Sequence, residues 1–159
     1  MKYYKKIESP VGQLTLLATD THLVSVLWEN VEFDEKDPPC VLREHQPILK
    51  TTELQLKEYF KGSRKQFDIP ILAEGTDFQK RVWLALRQIP YGETWSYKRL
   101  ATHIGNPKAS RAVGAANGKN PLSILVPCHR VVGAQGDLTG FAGGLRKKAI
   151  LLSHEKFHC

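Results

Sequence analysis

No apolar stretch in this chain approaches the roughly 20 residues that a membrane-crossing helix needs, so no membrane partner is expected. The opening Met1-Lys2-Tyr3-Tyr4-Lys5-Lys6 lacks the apolar core of a signal peptide, which points to the cytoplasm. Cysteine is scarce. The three present (Cys40, Cys128 and Cys159) are an odd number with no C-x-x-C pair. That argues against a disulfide framework or a zinc finger and for a reducing compartment. Cys40, beside Pro38-Pro39, and Cys159 at the terminus read as incidental thiols. Acidic residues are scarce in one half only. Residues 76–159 hold 4 Asp/Glu against 13 Lys/Arg, a net +9, whereas residues 1–75 hold 12 against 10, a net −2. A basic half beside an acidic half suggests a polyanion partner for one domain, and nucleic acid is favoured over a merely solvated face.

What is present fits a soluble globular protein: 42% hydrophobic and 25% charged over 159 residues, enough for one large domain or two small ones sharing a core. Residues 1–30 predict an antiparallel meander. Its strands run Tyr3 to Glu8, Gln13 to Ala18 and Leu23 to Trp28, with Ser9-Pro10-Val11-Gly12 as the first turn. Residues 30–46 are polar and Pro-containing and read as a mobile loop. From Pro47 the spacing turns helical, with Ile48, Leu49, Leu54, Leu56, Tyr59 and Phe60 on one face and Gly62 at the end. Phe67, Ile69 and Ile71 alternate as a strand does. The charge changes sign at 73–76, which places the domain boundary between 1–75 and 76–159. No internal repeat or low-complexity tract is evident.

The second domain opens with a helix predicted over Asp77 to Gln88, with Asp77 as its cap. Pro90-Tyr91-Gly92-Glu93 is a turn. Ser96 can cap a helix whose Leu100, Ala101 and Ile104 face inward. Gly105-Asn106 breaks that helix, and Pro107 suits the first turn of a second one over Lys108 to Asn117. Two short helices about a Gly-containing turn are the helix-turn-helix pattern. The second is built of small residues around Arg111. Small residues allow close packing in a core, or close approach of a backbone to DNA. A closing basic helix spans Leu145 to Lys156, with Ala149, Ile150, Leu151 and Leu152 available for packing.

The chemistry concentrates at Pro127-Cys128-His129-Arg130. The preceding Ile124-Leu125-Val126 reads as a short buried strand that Pro127 ends, leaving Cys128 on a turn at the edge of the core. A soft nucleophile, a titratable ring and a fixed cation follow one another there. Plain readings exist for each residue: Cys128 as a small buried hydrophobe, His129 as a satisfied polar group, Tyr97 as a packed aromatic, Glu155 as a solvated carboxylate. A thiol is reactive only where its thiolate is stabilised, and the adjacent His and Arg favour that reading.

Pro127-Cys128-His129-Arg130-Val131-Val132 resembles the active-site signature of the O6-alkylguanine-DNA alkyltransferases, bacterial type. The likeness takes in Tyr91-Gly92-Glu93, Ser96-Tyr97, Gly105 through Gly114, Asn120-Pro121, Gly143-Gly144-Leu145 and Leu151-Leu152-Ser153-His154-Glu155. It covers nearly all of residues 78–156, in order. Ser9-Pro10-Val11-Gly12 extends it to the first half, which otherwise matches in style alone. The resemblance implies an α/β protein: a ribonuclease-H-like domain with a small antiparallel sheet and helices, then a mainly helical domain with the helix-turn-helix.

It further implies a DNA repair protein. Such a protein flips O6-alkylguanine (O6-methylguanine, with O4-methylthymine as a further substrate) out of duplex DNA and moves the alkyl group irreversibly to its own cysteine, once per chain. Cys128 would be the acceptor, with His129 taking its proton through water and Glu155 orienting His129. Together they would lower the thiol pKa. Tyr97 would offer its phenol to the guanine, and Asn120 would hold the active-site turn. Val131, Phe141, Ala142 and the 140–144 loop would line the base pocket. Arg111 would fill the vacated stack from a helix in the minor groove, with Ser96, Lys108, Ala109, Ser110 and Gly114 also at the DNA. A monomer and no cofactor are implied. With only Cys40, His22 and His45 in the first half, no zinc site of the kind some members carry is expected. Phe141-Ala142 stands where some members have Tyr-Ser, which bears on the bulky groups accepted. Two alternatives remain: a cysteine hydrolase using Cys128, His129 and Glu155, without an obvious oxyanion hole, and an alkylated-DNA sensor or helix-turn-helix regulator without chemistry. Sensor relatives lack the cysteine that stands here.

Overall fold

A computed structural model describes residues 1–36 and 39–159. They form two compact units, Met1–Ala73 and Glu74–Cys159.

In the first unit, β1 (Lys2–Ile7), β2 (Leu14–Ala18) and β3 (Leu23–Trp28) form the antiparallel meander. β2 is central and every residue of it is buried. The β1–β2 turn closes through a Gly12 N–H to Ser9 carbonyl hydrogen bond of 3.0 Å, with Gly12 at φ +92°, a conformation that costs glycine nothing. The polar 30–46 segment is not simply loop. Its Cys40–Leu42 portion is a short strand, β4, pairing parallel with β1 at the sheet edge. Asp37 and Pro38, which fall within the predicted loop, lie outside the described residues. Helix α1 (Pro47–Phe60) starts where Gln46 caps the Leu49 N–H at 2.9 Å. Its buried stripe is Leu49, Thr52, Gln55, Leu56 and Tyr59, and Leu54 points outward instead of joining the core. The strand predicted over Phe67 to Ile71 does not form. Ile71 alone bridges to Leu23, because Pro70 has no N–H to extend a ladder. The Gln55 side chain holds this segment instead, bonding both the N–H and the carbonyl of Asp68.

The second unit opens with α2 (Asp77–Leu86). Its cap is Thr76, not Asp77: the Thr76 hydroxyl accepts from the Gln79 N–H at 3.1 Å and the Gln79 side chain returns the bond at 3.0 Å, a capping box. A short strand, β5 (Trp95–Ser96), leads into α3 (Tyr97–His103), whose N-cap is Ser96. Helix α4 (Ser110–Gly118) begins later than the sequence suggests. Pro107 and Lys108 sit in a turn closed by Ala109 N–H to the Asn106 carbonyl at 3.0 Å, the place in a turn where proline's fixed φ is favourable. The α2–α4 packing is pinned by the Trp83 indole N–H donating to the Ala116 carbonyl at 2.8 Å.

Residues 124–126 are not a strand. Ile124 has φ +76°, rare for a β-branched residue, and the segment turns back on itself through Val126 N–H to Leu122 carbonyl at 2.9 Å. Cys128–Arg130 form one 3₁₀ turn, followed by β6 (Val131–Val132), which pairs parallel with β5. Helix α5 (Leu145–Phe157) closes the chain. Its fully buried stripe is Lys148, Leu151 and Glu155; Ala149, Ile150 and Leu152 are only half-buried.

Candidate active site and nucleic-acid face

Cys128 is held by the turn before it. The Asn120 side chain donates to the Val126 carbonyl at 2.8 Å and accepts from the Leu122 N–H at 3.0 Å, so one amide clamps both ends of the 122–126 loop. Asn117, on α4, donates to the Cys128 carbonyl at 3.3 Å. The thiol is 4% exposed. Burial pushes its pKa up; hydrogen bonds from Asn120 and Ser123 and the Lys148 charge oppose that without reversing it. The lowered thiol pKa expected from the Cys-His-Arg setting is therefore absent here, because desolvation outweighs every neighbour.

The 3₁₀ turn and α5 bring His129, Arg130 and Glu155 into one buried cluster. His129 Nε2 lies 2.7 Å from Glu155 Oε2. The Arg130 guanidinium grips the same carboxylate twice, Nε to Oε1 at 2.8 Å and the second nitrogen to Oε2 at 3.1 Å, and donates to the Ile89 carbonyl at 2.8 Å. Burial alone would raise the Glu155 pKa, but the His129 and Arg130 bonds hold the carboxyl well below the usual range. Burial is also the main reason the His129 pKa lies low; Arg130 and Lys148 add to it and Glu155 resists. The lowered pKa favours the neutral ring. With an ionised carboxylate on Nε2, that nitrogen carries the proton and Nδ1 is the acceptor. Nδ1 is buried and has no hydrogen-bond partner among the described residues. Burial thus favours the uncharged form of both thiol and ring, and it leaves Nδ1 as an open acceptor among the described residues. Arg130 is the residue the sequence reading left without a task; its place in the Pro-Cys-His-Arg segment was the only signal.

The other wall comes from α3 and the loop before α5. The Thr139 hydroxyl donates to the Tyr97 phenol oxygen at 3.1 Å, and the phenol lies 3.4 Å from the Thr139 carbonyl. Val131 is fully buried in β6, Phe141 is half-buried and Ala142 is exposed. Position 114 of α4 faces the Tyr97 ring, which lies 3.6 Å from where a methyl would stand.

The outer face of α4 is separate from this cluster. Arg111, Ala112, Ala115 and Gly118 are exposed, whereas Val113, Ala116 and Asn117 are buried. The exposed stripe thus carries one long side chain among small ones. Lys108 is exposed beside it; Ala109, Ser110 and Ser96 are half-buried.

Residues 77–157 match the family described as 6-O-methylguanine DNA methyltransferase, DNA binding domain, and residues 2–73 match its ribonuclease-like domain. The chain belongs to the 6-O-methylguanine DNA methyltransferase family. It is 47% identical to the methylated-DNA–protein-cysteine methyltransferase of Methanosarcina acetivorans, over 96% of this chain and 97% of that one. To the constitutive protein of Bacillus subtilis it is 42% identical, over 98% and 96%. The crystal structure of Mycobacterium tuberculosis OGT in complex with DNA superposes with a TM-score of 0.92 at 43% identity, covering 99% of this chain and 94% of that one. The family resemblance and the fold class read from the sequence are both borne out. Membership in this methyltransferase family disfavours both the hydrolase and the sensor alternatives.

Proposed function

We propose that this protein repairs DNA by accepting the alkyl group of O6-alkylguanine on Cys128. The sulfur attacks the alkyl carbon in line, a carbon–sulfur bond forms, and the carbon–O6 bond breaks. The electron pair of that bond leaves with the guanine, which takes up a proton. The thiol proton goes to His129 Nδ1, directly or through one water. A thioether is a poor leaving group, so each chain reacts once. The observation that carries this reading is the buried Nδ1 of His129, left as the acceptor by the Glu155 carboxylate on Nε2, beside the thiol that the Asn120-clamped turn holds.

The target atom lies inside a duplex, so the base must be turned out of the stack. In this reading Tyr97 faces the extruded nucleotide, and Val131, Phe141 and Ala142 line its pocket. α4 enters the minor groove with Arg111 in the vacated stack. Small side chains at Ala112 and Ala115 favour a narrow groove. Lys108 contacts phosphate; Ser96, Ala109, Ser110 and Gly114 bring the backbone close. The second unit is thus the DNA-binding and active-site domain, and the protein acts as a cytoplasmic monomer without cofactor or metal. Peptide mapping after incubation with an O6-methylguanine duplex tests the acceptor: the methyl group is expected on Cys128, and a methyl on Cys40 or Cys159 overturns the assignment.

A further inference from the structure

From Thr94 to Gly136 the chain holds no Asp or Glu, while Lys98, Arg99, Lys108, Arg111, Lys119 and Arg130 stand within it. Arg130 is held by Glu155, and Lys108 and Arg111 belong to the proposed α4 contact. Lys98 and Arg99 lie elsewhere, on the outer side of α3. That helix buries Leu100 and Ala101 and exposes Lys98, Arg99, Thr102 and His103. The pairs 98/102 and 99/103 are one turn apart, so the four side chains share a side. With Ser96 they line a surface hollow of about 460 Å³ to which no carboxylate contributes. Its hydroxyls are engaged by the helix: Ser96 accepts from the Arg99 N–H at 3.0 Å, and Thr102 donates to the Lys98 carbonyl at 2.9 Å. What the hollow offers a ligand is positive charge.

A second observation concerns how that charge is held. The Arg99 guanidinium lies 4.6 Å over the Trp95 ring, and the His103 ring lies 4.9 Å from the same indole at 53°. Trp95 is 7% exposed and pairs with Val131 through β5 and β6, so its ring is anchored to the strand that follows the Cys128 turn. A guanidinium stacked on a ring keeps its edge N–H donors for an anion, in the planar fork that matches a phosphate. Stacking also orders a long side chain before any ligand arrives, which lowers the entropy lost on binding. From Thr102 to Lys108 only Ile104 is other than exposed, so the surface runs on through the turn to α4.

We infer that Arg99, braced on Trp95, forms with Lys98 a second phosphate grip for the duplex, outside the α4 stripe and set in register with the Cys128 turn through β5 and β6. The inference rests on the reading that the second unit binds duplex DNA. The grip reads no base, so it acts alike on every sequence and holds the backbone while a nucleotide is turned out.

The test is equilibrium binding of the full chain to an undamaged duplex, by fluorescence anisotropy at several salt concentrations. Each phosphate contact contributes about 0.9 to the slope of log affinity against log salt. Arg99→Ala and Lys98→Ala should each lower that slope by about one unit and weaken binding roughly tenfold. Arg99→Lys should restore the slope, since it keeps the charge. Trp95→Leu keeps an apolar filler and removes the platform; the slope should stay, and affinity should fall about two- to fivefold. Lys61→Ala, at an exposed lysine of the first unit, reports the effect of net charge alone and should leave the slope as in wild type. Slopes for Arg99→Ala and Lys98→Ala equal to wild type, or lowered no more than by Lys61→Ala, overturn the grip. Wild-type affinity in folded Trp95→Leu overturns the brace. Wild-type protein that binds the duplex with no dependence on salt would overturn the duplex reading itself.

Discussion

At the scale of single residues, the site is a set of charges kept out of water by one another. Glu155 accepts three hydrogen bonds from His129 and Arg130 within a fully buried setting. Removing one member of such a group leaves the others uncompensated, which costs roughly 3–5 kcal/mol. Glu155→Gln is accordingly expected to lower stability by about that amount in denaturant unfolding, and to slow methyl transfer with little change in DNA affinity. An unchanged transfer rate in Glu155→Gln and in His129→Phe would remove the proton relay from the account. The same cluster sets the acid limit. The pKa of His129 is lower folded than unfolded, so its contribution is complete above the ordinary histidine value of about 6.5 and is lost as pH falls below it. Glu155 is depressed as well, and its contribution is lost only below the carboxylate range. Thermal stability is therefore expected to fall between pH 7 and pH 5 through His129. His129→Phe should flatten it over that interval; an equally steep fall in the variant would place the titrating group elsewhere.

At the scale of elements, α4 shows what pattern reading can and cannot recover. Its small residues suit both a core and a groove, and the sequence alone leaves the two open. The structure leaves the groove reading room: Val113, Ala116 and Asn117 pack inward while Arg111, Ala112 and Ala115 are exposed. An arginine that fills a vacated stack matters only where a stack exists. Arg111→Ala should slow single-turnover repair of duplex DNA by tenfold or more, on the scale of a few kcal/mol for unstacking. It should barely affect transfer from free O6-benzylguanine. Equal losses on both substrates would mean that Arg111 supports the pocket or the fold. The other elements sort the same way. β1 to β3 were legible because alternation and turn residues agree. β4 was not, because three residues inside a polar, proline-bearing stretch carry too little pattern. The 124–126 segment misled because its β-branched and aliphatic run suits a strand, yet Ile124 takes φ +76° to bring the chain round to Cys128. The inward stripe of α5 was hidden by its own chemistry. The sequence reading assigned Lys148 no place, and its burial beside Leu151 and Glu155 appears only in the fold. Cys128, His129 and Glu155 could be named from sequence through the family signature, whereas the double grip of Arg130 on Glu155 required the fold.

At the scale of the whole molecule, charge and chemistry fall in the same unit. Residues 76–159 carry the net +9, the exposed Arg111 stripe and the buried thiol. On the function proposed above, a basic unit of this kind would meet any duplex, and the base pocket would select among the nucleotides that reach it. The central claim is that the protein is its own methyl acceptor and is consumed in the act. Intact-protein mass, followed over time with a large excess of O6-methylguanine duplex, tests it most directly. The account predicts a gain of one methyl group per chain, a plateau of repaired guanine equal to the protein added, and neither in Cys128→Ala. Continued repair beyond one guanine per chain, or repair without a change in protein mass, would contradict it.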